Sequence, residues 1–310
     1  MAESGKILIT GAAGFVGTAL CRRLYQQGYA LRVLLRPGGS SLPEDLICDL
    51  DDVVTADGLT DEHVWSGFLA DITTVVHLAA RTHCGDQATA SDLYFRDNLD
   101  ISIALARAAR RSGVKKFIFL STIKVNGEGV LQADHRPYRA ADQPHPEGAY
   151  AVSKWRAEQE LQTLFKQAGS PALTIIRPPL IYGARAKGNY ALLQKWLRWG
   201  LPVPVPRAGN HRSLLALESL VEIIFSLISE VGPGASYRLL LPCDRQEWST
   251  ERLAEYLGRK VGRTVRTVAL PGAQLRGLAA ILGCEDVCLK FFGSLRIEPE
   301  DEVYKLYPRD

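Results

Sequence analysis

Through the first half of the chain, short apolar runs alternate with segments whose apolar positions recur every three to four residues. Lys6–Ile9 reads as a buried strand, and Gly17–Gln27 as a helix stopped by Gly28. Apolar runs over Tyr29–Arg36, Asp52–Asp57, Thr73–Ala80 and Lys116–Thr122 predict further strands. Between the last two, Asp92–Gly113 carries a helical period closed by glycine. Another helix begins near Tyr150 and leads into an apolar strand over Leu173–Pro178. Strand and helix in this alternation predict an α/β fold, a doubly wound parallel sheet with helices on both faces. After Arg177 the texture changes. Pro178 and Pro179, then Gly200–Arg212, are rich in proline and glycine, which suits a binding surface better than sheet core. The last third mixes short elements and predicts a smaller C-terminal substrate-binding subdomain.

Composition narrows the class. Hydrophobic residues make up 46% and charged residues 23% of the 310, as in a soluble globular protein with ample length for a core. A formal charge of +3 with no basic tract argues against nucleic acid and against a membrane surface as partners. The longest apolar stretch, Leu214–Ile228, is broken by Glu218 and Glu222 and is too short to span a bilayer. The opening segment MAESGKILIT has no apolar core of the length a signal peptide needs, so a cytoplasmic location is expected. Six cysteines are scattered without metal-ligand spacing; Cys284 and Cys288 share a helical face, but two thiols alone do not make a zinc site. No metal is expected.

The candidate chemistry begins between the first strand and first helix. There ILITGAAGFVGTAL sets Gly11, Gly14 and Gly17 in a Gly-x-x-Gly-x-x-Gly spacing, with Phe15 and Val16 in the same turn. Gly11 permits a tight turn, Gly14 lets backbone approach a pyrophosphate, and Gly17 lets helix and strand pack closely. The helix N-terminus then points free N–H groups at phosphates. This placement predicts a Rossmann dinucleotide site rather than glycines that merely end a strand. In such folds the second strand ends beside the adenosine ribose, where an acid suits a free 2′-hydroxyl and an arginine suits a 2′-phosphate. Here it ends in Arg36 with no carboxylate following, which favours NADP(H) and leaves NAD(H) as the alternative. Asp57, closing the third strand, is a candidate partner for the adenine amino group, and equally an ordinary turn acid.

Tyr150 and Lys154 stand four residues apart in GAYAVSKWRAEQEL, on one helical face. Alone, the pair reads as well as a buried tyrosine beside a solvated lysine. With the glycine turn, HLAA (His77–Ala80), STIKVNG (Ser121–Gly127) and RPPLIYG (Arg177–Gly183) in this order, the chain resembles an extended short-chain dehydrogenase/reductase. Within that class it looks like the NAD(P)-dependent nucleotide-sugar epimerase/dehydratase group, from about Lys6 to Arg296. HLAARTH, STIKVNGE and RPPLIYGARAKGNY are similar to bacterial surface-polysaccharide enzymes of the UDP-N-acetylquinovosamine dehydrogenase (4-ketoreductase) and UDP-glucose 4-epimerase types.

The resemblance implies that Tyr150 is a general acid or base. It implies that the Lys154 ammonium favours the ionised phenol and holds the nicotinamide ribose, and that Thr122, supported by Ser121, bonds the reacting oxygen. Cofactor contacts are implied at Gly11, Gly14, Phe15, Val16, Gly17, Arg36, Asp57, Leu59, Leu78, Ala79, Ala80, Asn98, Tyr150, Lys154 and Pro178. Substrate contacts are implied at Arg81, Thr122, Lys124, Tyr150, Asn189 and Arg212. Arg212, in HRSLLALESL, matches the arginine that grips a nucleotide diphosphate bidentately. Asn98 matches the helix asparagine that supports the site, although Ile101 and Ser102 replace the Gly-Thr that often follows. His77 reads as a strand-end packing residue, Lys187 as a solvated loop charge, and Trp196 and Trp199 as core. His83 joins Lys124 as a sugar-facing candidate.

Two departures bear on the reaction. Dehydratases of the group carry Asp-Glu after the threonine, where this chain has Ile123 and Lys124, so elimination of water is not expected. The usual VYG is Val125-Asn126-Gly127, which is expected to reshape the sugar pocket. The leading expectation is an NAD(P)H-dependent reductase of a UDP-linked 4-keto-6-deoxy-N-acetylhexosamine. The alternatives are a UDP-hexose or UDP-N-acetylhexosamine 4-epimerase using the same residues, and a non-catalytic dinucleotide-binding protein, in which Thr122, Tyr150 or Lys154 should have been lost. The resemblance also implies a homodimer. Residues 1–178 are expected to form the dinucleotide-binding domain, with 213–240 returning to it, and 179–212 with 241–310 the nucleotide-sugar-binding part.

Overall fold

Ile7, Leu8 and Ile9 are all buried, yet they serve two different cores, because successive strand residues point to opposite faces. Ile7 and Ile9 share a core with Leu20 and Leu24 of α1 (Phe15–Gln26) and with Ile224 and Leu227 of the helix Leu217–Ser229. Leu8 faces the other core, with Trp65, Leu105, Ala109 and Phe117. The strand itself, β1 (Lys6–Thr10), pairs in parallel with β2 (Leu31–Leu35) and β4 (Ile72–His77). The computed structural model describes residues 5–39, 41–47, 50, 52–82, 87–130, 136–183, 193, 196–230, 236–281 and 292–307.

The sheet is completed by β3 (Val53–Thr55), β5 (Lys116–Leu120), β6 (Ala172–Ile176) and β10 (Tyr237–Leu240). Its seven strands run in the order β10-β6-β5-β4-β1-β2-β3, all parallel. This is the doubly wound Rossmann arrangement, whose strand order reverses between β1 and β4 and opens a crevice at the carboxyl ends. β4 ends at His77 rather than Ala80, because Leu78–Ala80 leave the sheet as a loop over Gly11. The helix expected from Asp92 is α4 (Gln87–Phe95), which runs through a π turn over Arg96–Asp100 into α5 (Ile101–Arg111). The π turn buries Asp97 and Asn98 together, a device common at functional sites.

Beyond the main sheet, β7 (Leu180–Tyr182) pairs with β9 (Leu214–Ala216), and β8 (Val203–Pro206) with β11 (Thr267–Leu270). A third core gathers Leu193, Leu197, Val205, Trp248 and Leu253. Trp196 and Trp199 do not join it; they are 36% and 62% exposed. Leu193 and Leu197, four apart, occupy the inward face, which turns the two tryptophans outward. Isolated bridges tie Val130 to Ser294, Tyr138 to Ile297 and Arg212 to Leu295. Cys21 and Cys243 are buried thiols, whereas Cys48, Cys84, Cys284 and Cys288 lie outside the described residues. Among the described residues no helix is long and apolar enough to cross a membrane.

Candidate active site

β1 gives way to Gly11 with φ 71°, and a Cβ there would lie 2.7 Å from the Ala79 nitrogen, so glycine lets the β1 and β4 ends approach. A Cβ on Gly17 would overlap the Gly11 carbonyl oxygen and lie 2.7 Å from Ala12 Cα. On Gly14 it would meet only the Gly11 oxygen, at 3.0 Å; Gly14 lines a cleft with Gly11, Arg36, Leu59, Leu78, Ala79, Ala80, Arg81 and Asp97. Gly14 is also the N-cap of α1 and supplies no capping side chain, which leaves the first-turn N–H groups to an anion. This cradle fits a dinucleotide pyrophosphate. Phe15 is half-buried and Val16 buried behind the turn, while Asp57 is exposed and is not among the cleft-lining residues.

The end of the cleft at Arg36 is more elaborate than that residue alone. Arg81 and Arg96 both hold Asp97, at 2.7 and 2.9 Å, and the exposed Arg36 reaches within 3.6 Å of the same carboxylate. Burial would raise the Asp97 carboxyl, but hydrogen bonds from Arg96 and Arg81 outweigh it and hold it below the usual range. The structure therefore places Arg81, a substrate candidate in the sequence, on the wall of this cleft.

Behind the cleft runs a buried chain of hydrogen bonds. Thr10 Oγ1 lies 2.6 Å from His77 Nδ1, His77 Nε2 lies 2.8 Å from Ser102 Oγ, and Ser102 donates to the Asn98 carbonyl at 2.8 Å. Because Ser102 spends its proton on Asn98, His77 donates from Nε2 and accepts from Thr10, whose oxygen in turn accepts from Ala79 N–H. Burial, then the nearby Lys154 charge, pull the His77 pKa down to about 3, so the ring is neutral. Asn98 accepts from Arg81 N at 2.7 Å and donates to Arg81 O and Ser153 Oγ.

α6 (Gly148–Phe165) carries Tyr150, half-buried, and Lys154, fully buried. Burial pushes the Tyr150 phenol up to about 12, while a hydrogen bond with Thr122 pulls it back. Lys154 Nζ has no hydrogen-bond partner; it lies 3.9 Å from the centre of the Phe119 ring. Burial lowers its pKa to about 7, and the Glu158 charge acts the other way. A buried, unpartnered ammonium is the donor that a ribose diol would satisfy. Thr122 begins the turn after β5 and accepts from Lys124 N at 3.3 Å, and Ile123 N donates to the buried Pro178 carbonyl at 3.0 Å.

Underneath, Glu158 and Arg177 form a fully buried ion pair that also binds Ser121 and Asn126. Asn126, which the sequence reading expected to reshape the sugar pocket, is 3% exposed and accepts from Arg177 Nη1 at 2.8 Å. Lys124 Nζ pairs with Glu128 at 2.6 Å. Arg212 donates to the Gly293 carbonyl at 2.7 Å, and burial brings its pKa down to about 10. Asn189, Lys187 and His83 lie outside the described residues.

Sequence reasoning missed Phe119, Asp97, Glu128 and the Glu158–Arg177 pair. Of these, Glu158 carried a local signal, since it follows Tyr150 and Lys154 at the same four-residue spacing.

The family model described as NAD dependent epimerase/dehydratase family matches residues 7–238. The chain is 32% identical over 296 residues to UDP-glucose 4-epimerase of Vibrio cholerae, covering 94% of this chain and 87% of that one. It is 29% identical over 267 residues to the N-acetyl-alpha-D-glucosaminyl-diphospho-ditrans,octacis-undecaprenol 4-epimerase of Escherichia coli O157:H7, covering 86% and 75%. The Bordetella bronchiseptica enzyme WbmG in complex with NAD and UDP shares the fold, with TM-score 0.74 and 21% identity over 98% of this chain and 89% of that one.

Proposed function

The chain belongs to the NAD dependent epimerase/dehydratase family, and from that premise we propose that it is a 4-epimerase of a UDP-linked hexose or N-acetylhexosamine. The observation that carries this reading is the Tyr150–Lys154 turn of α6, with Thr122 against the phenol and an unpartnered ammonium one turn away. Tyr150 takes the proton of the sugar C4 hydroxyl and returns it, while Thr122 holds the oxygen. Lys154 favours the phenolate and binds the ribose. NAD, when bound, supplies the hydride acceptor and donor for C4. Ile123 and Lys124 offer no acid in the place of the dehydratases' Asp-Glu pair, so the chemistry stops at C4. Both curated relatives named above are 4-epimerases, which supports this outcome over net reduction.

The test is to incubate the purified protein with NAD and UDP-glucose or UDP-N-acetylglucosamine and follow the sugar by proton NMR. The expected result is interconversion of the C4 epimers without net change in nicotinamide absorbance. Stoichiometric consumption of NADPH with a UDP-4-keto-6-deoxy-N-acetylhexosamine, and no epimer, would instead make it a reductase. That second reading has one observation in its favour: Arg36, 61% exposed just past β2, with no carboxylate following it in the sequence and only Asp97, itself held by Arg81 and Arg96, within 3.6 Å. If Arg36 selects the 2′-phosphate, Arg36→Asp lowers NADP affinity about tenfold or more and leaves NAD affinity nearly unchanged. Equal affinities for the two cofactors in the wild type would dismiss that role.

A further inference from the structure

Glu128 stands between two glycines, and both are required. Gly127 has φ 155° and a Cβ on it would overlap the Tyr138 hydroxyl; Gly129 has φ 86° and a Cβ on it would lie 2.5 Å from the Ser294 carbonyl oxygen. Val130 and Ser294 close the loop with backbone hydrogen bonds of 3.0 and 2.6 Å. The neighbouring Gly293 carbonyl is the one that Arg212 grips. Glu128 is thus fixed between the turn that begins at Thr122 and the segment that holds Arg212. Its charge reaches both the Tyr150 phenol and the Arg212 guanidinium. Both carboxylate oxygens lie on Lys124 Nζ, at 2.5 and 2.6 Å, and the two side chains are 18% and 29% exposed.

A substrate whose C4 oxygen meets Tyr150 and whose diphosphate meets Arg212 lays its sugar beside this pair. Lys124 alone there would offer a single positive charge, well suited to a sugar carboxylate. With Glu128 on it, the pair has no net charge. A carboxylate brought against it would lose hydration and face Glu128 at close range, without an unopposed cation in return. A hydroxyl loses little, because it can donate to a Glu128 lone pair and accept from Lys124. We propose that Glu128 is a specificity-determining residue, which neutralises Lys124 and so selects an uncharged hexose over a hexuronic acid. This inference rests on the proposed UDP-sugar function.

Calorimetric titration of UDP-glucose and UDP-glucuronate into NAD-loaded protein, with turnover of each sugar measured in parallel, tests it. Wild type is expected to bind UDP-glucose the more tightly. Glu128→Gln keeps the shape, frees the Lys124 charge, and is expected to move the glucuronate-to-glucose ratio about tenfold or more towards glucuronate. Lys124→Gln, which removes Glu128's ion-pair partner, is expected to move it the other way. If wild type binds both sugars and neither variant moves the ratio, or if wild type prefers glucuronate, the inference is overturned and the functional reading stands. Wild-type protein that loads NAD but binds neither of these sugars nor UDP-N-acetylglucosamine rejects both together.

Discussion

Lys154 costs the fold stability, a cost that the proposed chemistry explains. Its ammonium is buried without a hydrogen-bond partner, and burial lowers its pKa from 10.5 to about 7. Between those values the unfolded chain holds a proton that the folded chain does not, so stability rises with pH across that window, and below about pH 7 the penalty is present in full. Lys154→Met is expected to abolish turnover yet raise the nucleotide-free melting temperature at pH 6 by roughly several degrees. The gain should shrink towards pH 10. Melts at both pH values check this, and a variant that melts below wild type at pH 6 would mean the ammonium is a stabilising group after all. Tyr150 is the complementary case, raised to about 12 by burial and relieved by Thr122. Tyr150→Phe should cost about 10²–10⁴ in turnover while sparing NAD affinity. Thr122→Val removes the relieving hydrogen bond, so the limb of the pH–rate profile that rises as the phenol ionises should move to higher pH. An unmoved limb would show that Thr122 does not tune the phenol.

Among the elements, the β1–α1 turn was the most legible in the sequence, because its glycines answer to separate steric demands. Gly17→Ala puts a methyl into the Gly11 carbonyl, pushes α1 off β1, and should destabilise by about 1–3 kcal/mol while weakening NAD binding. Gly28→Ala is the control. Its φ is 77° but a Cβ there meets nothing within 4 Å, so it should cost about 1–2 kcal/mol through backbone strain and leave NAD affinity alone. Urea denaturation and NAD titration of both variants separate packing from strain. The Tyr150–Lys154 spacing was equally legible, being local to one helix. What lay beyond the sequence was non-local. Phe119 meets Lys154 across β5 and α6, and Arg177 reaches Glu158 from the end of β6, so no spacing rule joins them. The π turn at Arg96–Asp100 was hidden for another reason: helical periodicity does not reveal one extra residue, yet that turn buries Asp97 and Asn98. Tryptophan hydrophobicity misdirected the reading at Trp196 and Trp199, where Leu193 and Leu197 claimed the inward face.

For the molecule as a whole, the two ends of the site draw on different kinds of structure. The cleft proposed for the nucleotide is lined from β1, β2, β4 and the π turn, within the parallel sheet and its helices. The Arg212 end depends on distant segments stitched by single bridges: Val130 to Ser294, Tyr138 to Ile297, Arg212 to Leu295 and to Trp248. A sheet strand shares its hydrogen bonds with neighbours over several residues, whereas a single bridge fails at one point. Gly129 is such a point, since any side chain there must displace the Ser294 carbonyl and adopt φ 86°. Gly129→Val is therefore expected to open the stitch, weaken UDP binding about tenfold or more, and leave NAD affinity within about twofold of wild type. Separate calorimetric titrations of NAD and UDP decide it. Equal loss of both ligands would mean that this bridge supports the whole fold; loss of UDP alone would mean that the Arg212 end can be tuned, by selection or by design, without touching the sheet proposed to hold the cofactor.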